Sequence, residues 1–250
     1  MLKKIARRES KSAVAYISVS VVLILGLAVF GASVFFKVLV IEAVGASRYL
    51  REDIVKVSGI MIGDSILFMD TNAASQRILA AMPYISEVKI ETSFPDRVRI
   101  IVTETTAAAT IDYLDSVVLI DSAGRVLDHL EHAPQGLIEV RGFTPSEASL
   151  GSTVRTGIGD DTKLRYLIET LEAMEIGGIQ KNVSYIDVTN IAHVTFQYFD
   201  RFTVILGTTD NISHKLESLP EIIAEIEANP DRSIEWRITL SGQMRADPIR

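Results

Sequence analysis

Four histidines and a scatter of carboxylates are all that the chain offers to acid–base or metal chemistry, because it has no cysteine. The absence of thiols removes disulfides, thiolate metal sites and cysteine nucleophiles together. His129-Leu130-Glu131-His132 has loose ligand spacing. A helical zinc pair needs histidines at i and i+4 with a third ligand, and these two lie in a polar loop before Ala133-Pro134. Gly157-Ile158-Gly159 precedes a helix, as phosphate loops do, but no lysine follows and Asp160-Asp161 would repel a phosphate. No Gly-x-Ser-x-Gly occurs. Trp236, the sole tryptophan, is either an interface anchor or a core residue. The sequence therefore supplies no catalytic set, no cofactor site and no metal site, and favours binding over catalysis.

The elements that must carry such a role start with residues 13–36, twenty-four residues without a charge. A helix of ~20 apolar residues crosses a bilayer. Residues 1–12 form a tail with Lys3, Lys4, Arg7, Arg8 and Lys11 against Glu9, and such a cluster stays cytoplasmic. A cleaved signal peptide is the alternative, with Gly31-Ala32-Ser33 as its small-residue site. Signal cores are shorter, however, and here apolar residues run on through Val34-Phe35-Phe36 and resume at Val38. The expectation is a retained single-pass anchor with an extracytoplasmic C-terminus. The tail carries +4 of a total of −7, which leaves −11 on residues 13–250. An acidic ectodomain disfavours nucleic acid and anionic lipid, and points to protein partners.

Residues 38–106 read as an α+β unit. Ile41–Val44 is strand-like. Leu50, Ile54 and Val57 share a helical face that Gly59 ends. Asp70 or Thr71 caps a second helix with Ala74, Ile78, Ala81 and Met82 inward, and Pro83 stops it. Val88, Ile90 and Thr92, then Val98, Ile100 and Val102, alternate as two strands around Phe94-Pro95-Asp96. Ile78 and Ile90 are expected in the core. Strand, helix, helix, strand, strand predicts helices on a three-stranded sheet.

Residues 107–243 read as a strand-rich α+β unit. Thr110–Tyr113 and Val117–Ile120 are short strands, and Asp121-Ser122-Ala123-Gly124 is a tight turn returning through Arg125–Leu127. Gly136–Val140 is another strand. A helix capped by Asp161 or Thr162 carries Leu164, Leu167, Ile168, Leu171 and Met174 and stops at Gly177-Gly178. Val183–Val188, Val194–Tyr198 and Phe202–Leu206 follow as strands. Ser213 is expected to cap a last helix on Leu216, Leu219, Ile223 and Ile226, with Pro220 kinking or restarting it. Glu235–Leu240 is expected as the final strand, with residues 244–250 as a tail.

In this order the pieces resemble the FtsQ/DivIB family of bacterial cell-division proteins. Ile41–Gly45 with Tyr49–Ile54 is similar to the family's first strand and helix. Gly59–Asp70 resembles its glycine turn, and Pro83–Val88 with Phe94–Ile100 its closing hairpin. In the second domain Leu119–Val126, Val204–Gly207 and Lys215-Leu216 carry the likeness. Thr105–Ala109 departs from the usual basic residue and proline after the first domain, and Asp200-Arg201 from the usual Asp-Gly hairpin.

The resemblance implies a POTRA domain, then the family's β domain, in a non-enzymatic divisome component at the division septum. The implied partners are membrane-anchored coiled-coil proteins of the FtsB/DivIC and FtsL type, and the implied role is support of septal peptidoglycan synthesis. In the family the partner adds a strand to the edge of the last strand. That places Ser233, Glu235, Trp236, Arg237, Ile238, Thr239 and Leu240 at the expected interface. A membrane-anchored cell-wall enzyme and a ligand-binding sensor ectodomain stay open as alternatives. An outer-membrane POTRA protein would need a barrel that residues 107–250 are too few to supply.

Overall fold

The structure is a computed structural model that describes residues 16–27, 29–31, 35–157, 159–228, 236–240 and 245–248. Residues 16–27 form a helix with every side chain exposed. Among the described residues no helix is long and apolar enough to cross a membrane. Residues 13–15, 28 and 32–34 of the expected span lie outside the described set. The chain divides into two compact units, Met1–Ile78 with Glu87–Glu104 and Leu79–Ser86 with Thr105–Arg250.

The first unit carries β1 (Val40–Val44), α1 (Arg51–Ser58), a 3-10 turn (Ile66–Phe68), most of α2 (Thr71–Ala81) and of β2 (Ile85–Ser93), and β3 (Arg97–Glu104). The sheet order is β1-β3-β2, with β1 parallel to β3 and Ile41 opposite Val98, Ala43 opposite Ile100. Alternation makes β3 two-faced: Val98, Ile100 and Val102 are buried while Arg97 and Arg99 reach across the open face to Glu42. Asp70 caps α2, its Oδ1 accepting the Ala73 N–H at 2.9 Å. Gly59 ends α1 at φ 70°, and Arg77 from α2 donates Nε and Nη2 to the Ser58 carbonyl, one of the acceptors that a helix end leaves unsatisfied.

Three expected core positions are corrected here. Leu50 occupies the N-cap position and is exposed, Ala81 is exposed in the last turn, and Ile90 is only half-buried. Ile90 lies in β2, which among the described residues ends the sheet and has no neighbour on one side; the buried residue of that strand is Ile85. Gly45 explains itself by geometry: at φ 96°, a Cβ would lie 2.0 Å from the Val102 carbonyl oxygen.

Glu104 ties the end of β3 to residues 47–48. Its Oε1 accepts the Ser47 and Arg48 N–H groups at 3.0 and 2.8 Å, and its Oε2 the Ser47 hydroxyl at 2.5 Å. Burial opposes the charge, but the Ser47 hydroxyl and the N–H groups of Arg48, Ser47 and Tyr49 outweigh it and hold the carboxyl below its usual range. A carboxyl depressed by folding stabilises the fold above the unfolded pKa and stops doing so as pH falls through the folded one. The melting temperature of the first unit is therefore expected to fall below about pH 4.3. Glu104→Gln should start lower at neutral pH and lack that part of the fall; parallel acid profiles would contradict the assignment.

The second unit contains β4 (Ala109–Tyr113), β5 (Ser116–Ile120), β6 (Val126–Leu130), β7 (Ile138–Arg141), α3 (Asp161–Ile176), β8 (Val183–Asp187), β9 (Val194–Tyr198), β10 (Phe202–Gly207), α4 (Ile212–Glu227), β11 (Trp236–Thr239) and β12 (Arg245–Pro248). Among the described residues these strands form one sheet in the order β12-β11-β10-β9-β8-β7-β4-β5-β6. The predicted turn after β5 forms: Asp121 Oδ1 accepts the Ala123 and Arg125 N–H groups, and Gly124 sits at φ 75°. Leu167, Leu171 and Met174 of α3 join Leu216, Leu219, Ile223 and Ile226 of α4 in the core cluster.

The helix starts differ from expectation. Asp160, not Asp161 or Thr162, is at the N-cap of α3; its carboxylate makes no capping bond and lies 3.4 Å from the Lys163 ammonium, while the Asp161 carboxylate takes the Thr156 hydroxyl. Asn211, not Ser213, precedes α4, in the left-handed region at φ 54°. The entry to α4 is held by Lys215, whose ammonium donates to the carbonyls of Leu206 and Thr208 at 3.1 and 2.6 Å. Burial lowers the Lys215 pKa below that of an ordinary lysine. Pro220 neither ends nor restarts the helix, which runs from Ile212 to Glu227. Apolar residues on both sides of the proline are buried, and that packing outweighs one lost N–H.

Candidate partner-binding edge

Trp236, Arg237, Ile238 and Thr239 all lie in β11, and Leu240 follows it. Alternation sorts them as a half-buried strand should. Ile238 and Leu240 are buried with Trp236 packed against the core, while Arg237 is exposed. Ser233 and Glu235 lie outside the described residues.

The expected edge is not where this strand sits. β11 is internal: it pairs in parallel with β10, Phe202 opposite Trp236 and Val204 opposite Ile238, and antiparallel with β12. Leu240 also donates its N–H to the Ile205 carbonyl at 2.8 Å. The sheet ends at β12, four residues inside the stretch expected as a tail. Its brevity hid it, because four residues ending in proline give almost no alternation to read.

Among the described residues β12 therefore bears the free row of backbone groups. It pairs through Arg245 opposite Thr239, Ala246 opposite Ile238, Asp247 opposite Arg237 and Pro248 opposite Trp236. Arg245 Nε donates to Asp247 Oδ1 at 2.7 Å, so these two side chains share one face while Ala246 packs against the core. Pro248 has no N–H, and proline in a sheet is tolerated where that position faces solvent. By the same parity the Ala246 N–H points outward. Short length, a proline and charged side chains are how sheet edges avoid indiscriminate pairing, yet the edge stays open to a matched strand.

A small cleft adjoins the edge. Ile222, Glu225 and Ile226 of α4 enclose about 340 Å³ with Trp236 and Ala246. The Trp236 Nε1–H is buried with no hydrogen-bond partner among the described residues. A buried donor left unpaired costs ~1–3 kcal/mol. Aromatic anchors in such clefts carry much of the energy of protein interfaces.

The other candidate groups are structural. His129 shares a hydrogen bond with the Ala148 carbonyl through Nε2 at 2.9 Å, and His132 is exposed. Gly157 accepts the Asp160 N–H in a turn. Among the described residues no three His, Asp or Glu side chains are grouped to hold a metal.

Residues 36–105 match the family model of the POTRA domain, FtsQ-type, and residues 109–241 that of the cell division protein FtsQ/DivIB, C-terminal. The chain is 25% identical over 190 residues to the cell division protein DivIB of Clostridium acetobutylicum, covering 76% of this chain and 74% of that one. It is 31% identical over 165 residues to the cell division protein FtsQ of Corynebacterium glutamicum, covering 63% and 73%. A solved structure, the major extracytoplasmic domain of the trans isomer of DivIB from Geobacillus stearothermophilus, aligns at 15% identity with a TM-score of 0.32, over 51% of this chain and 98% of that one. That likeness is too distant to carry an argument.

Proposed function

Because the chain belongs to the FtsQ/DivIB family of cell-division proteins, we propose that it is a membrane-anchored division scaffold that captures small coiled-coil proteins of the FtsB/DivIC and FtsL type. Through them it supports septal peptidoglycan synthesis. The observation that carries this reading is the edge of β12, paired among the described residues on one side only and flanked by the Trp236 cleft. An extended partner segment pairs with such an edge through its backbone and sets alternate side chains into the adjoining cleft. The role needs no catalytic group.

The anchor is supported by the sequence and by residues 16–27, a helix exposed and apolar around its circumference behind a basic tail. A helix that is apolar all round belongs in a core or a bilayer. The basic tail then lies in the cytoplasm and both folded units outside it. A fluorescent fusion in the native cell should gather at the division septum, and depletion should block septation. Uniform membrane fluorescence with normal division on depletion would contradict the proposal.

A further inference from the structure

The first unit exposes an apolar rim around the segment by which the chain enters it. Leu39, Met61, Ile62, Leu67, Phe68 and Phe94 are 43–74% exposed. Backbone bonds draw them to one place. On one flank, Phe36 accepts the Ile66 N–H at 3.1 Å, and Val38 exchanges bonds with Asp64 and Gly63 at 2.9 and 2.8 Å. On the other, Leu39 and Val40 donate to the Asp96 carbonyl at 2.8 and 3.2 Å, and the Phe36 ring meets Phe94 edge-on at 5.4 Å. Residues 36–40 thus run between the 61–68 loop and the 94–96 turn. Six large apolar side chains gathered at one spot are unusual on a free surface and mark a contact.

We propose that this rim is a second membrane contact, inserted into the outer face of the bilayer that the anchor crosses. The inference rests on the anchor proposed above. If the span ends at Phe36, Leu39 lies three residues on, at most ~11 Å away along the chain. The interfacial layer of a bilayer is itself roughly 5–8 Å deep on each side. The loops bonded to residues 36–40 are therefore within reach of that layer. The rim is apolar rather than basic, so its ligand is the acyl boundary and not an anionic headgroup. The carboxylate of the loop and the one that follows it are engaged by backbone: Asp64 Oδ2 accepts the Met61 N–H at 2.8 Å and Asp70 Oδ1 the Ala73 N–H. Inserting the rim fixes the first unit against the membrane and limits how far it can swing about its tether.

The absence of cysteine makes the test direct, since each introduced thiol is unique. The full chain would be reconstituted in phosphatidylcholine vesicles with a nitroxide at Met61→Cys, Phe68→Cys or Phe94→Cys. Val22→Cys in the helix and the exposed Leu114→Cys and Ile176→Cys of the second unit serve as references. Circular dichroism melts confirm that each variant is folded, and three rim positions prevent one local disturbance from deciding the result. The rim labels are expected to be severalfold less accessible to a water-soluble nickel chelate than Leu114→Cys, and more accessible to oxygen. Rim labels as open to the chelate as Leu114→Cys, with Val22→Cys shielded, would overturn the inference and leave the anchor standing. An open Val22→Cys would overturn both. Shielding that vanishes as protein is diluted in lipid would mean a second copy covers the rim, and would also overturn it.

Discussion

Phe196→Ala is expected to destabilise the second unit by ~3–5 kcal/mol. Phe196 is wholly buried in β9, opposite Val204 of β10 and Ile186 of β8, with its ring edge-on to Tyr198 at 6.5 Å. Strands flank it on both sides, so the sheet cannot close over the missing ring, and the cavity term adds to the lost transfer energy. The loss should appear in the urea unfolding transition of the full chain. Because the units have separate sheets, a transition belonging to the first unit should stay in place. A loss below ~1 kcal/mol, in the range of an ordinary surface change, would mean that Phe196 is not a core residue.

Much of this architecture was legible because its signals are local. β3 could be read from alternation alone, Val98, Ile100 and Val102 against Arg97 and Arg99. The β5–β6 turn could be read from Asp121 and Gly124, since an aspartate that accepts backbone N–H groups and a glycine at positive φ are chemical requirements of that turn. The failures came where long-range packing overrode local rules. Pro220 reads as a kink or a restart, but the buried face of α4 holds one helix through it. Ser213 reads as a cap, but the Lys215 bonds to Leu206 and Thr208 fix the chain before it.

The site was legible by half. Alternation in β11 correctly separated Ile238 and Leu240 from Arg237, yet period two says nothing about what lies beside a strand. β12 has four residues, one of them proline, and only the pairing of Ala246 with Ile238 reveals it. The Trp236 cleft depends on Ile222, Glu225 and Ile226 arriving from another element, which no local pattern records.

The second large effect separates the internal strand from the edge. Arg237→Pro removes an N–H from a strand bonded on both sides and orphans a carbonyl at ~1–3 kcal/mol, before counting the misfit of the ring. That variant is expected to unfold the second unit or to shift its melting transition strongly downward. Ala246→Pro differs, because its N–H faces outward by the parity that admits Pro248. It is expected to keep the fold while removing a donor from the edge. A well-folded Arg237→Pro variant would contradict the internal position of β11.

The central claim is that the β12 edge captures the coiled-coil division proteins, and its most direct test is a binding measurement. The full chain, Ala246→Pro and Asp247→Ala would be compared for capture of partners of the FtsB/DivIC and FtsL type, after circular dichroism confirms each fold. Asp247→Ala leaves the backbone edge intact and should bind nearly as the parent does. Ala246→Pro should bind roughly tenfold or more weakly, the equivalent of losing about one hydrogen bond and its register. Undiminished capture by a folded Ala246→Pro variant would contradict the account and move the interface away from β12.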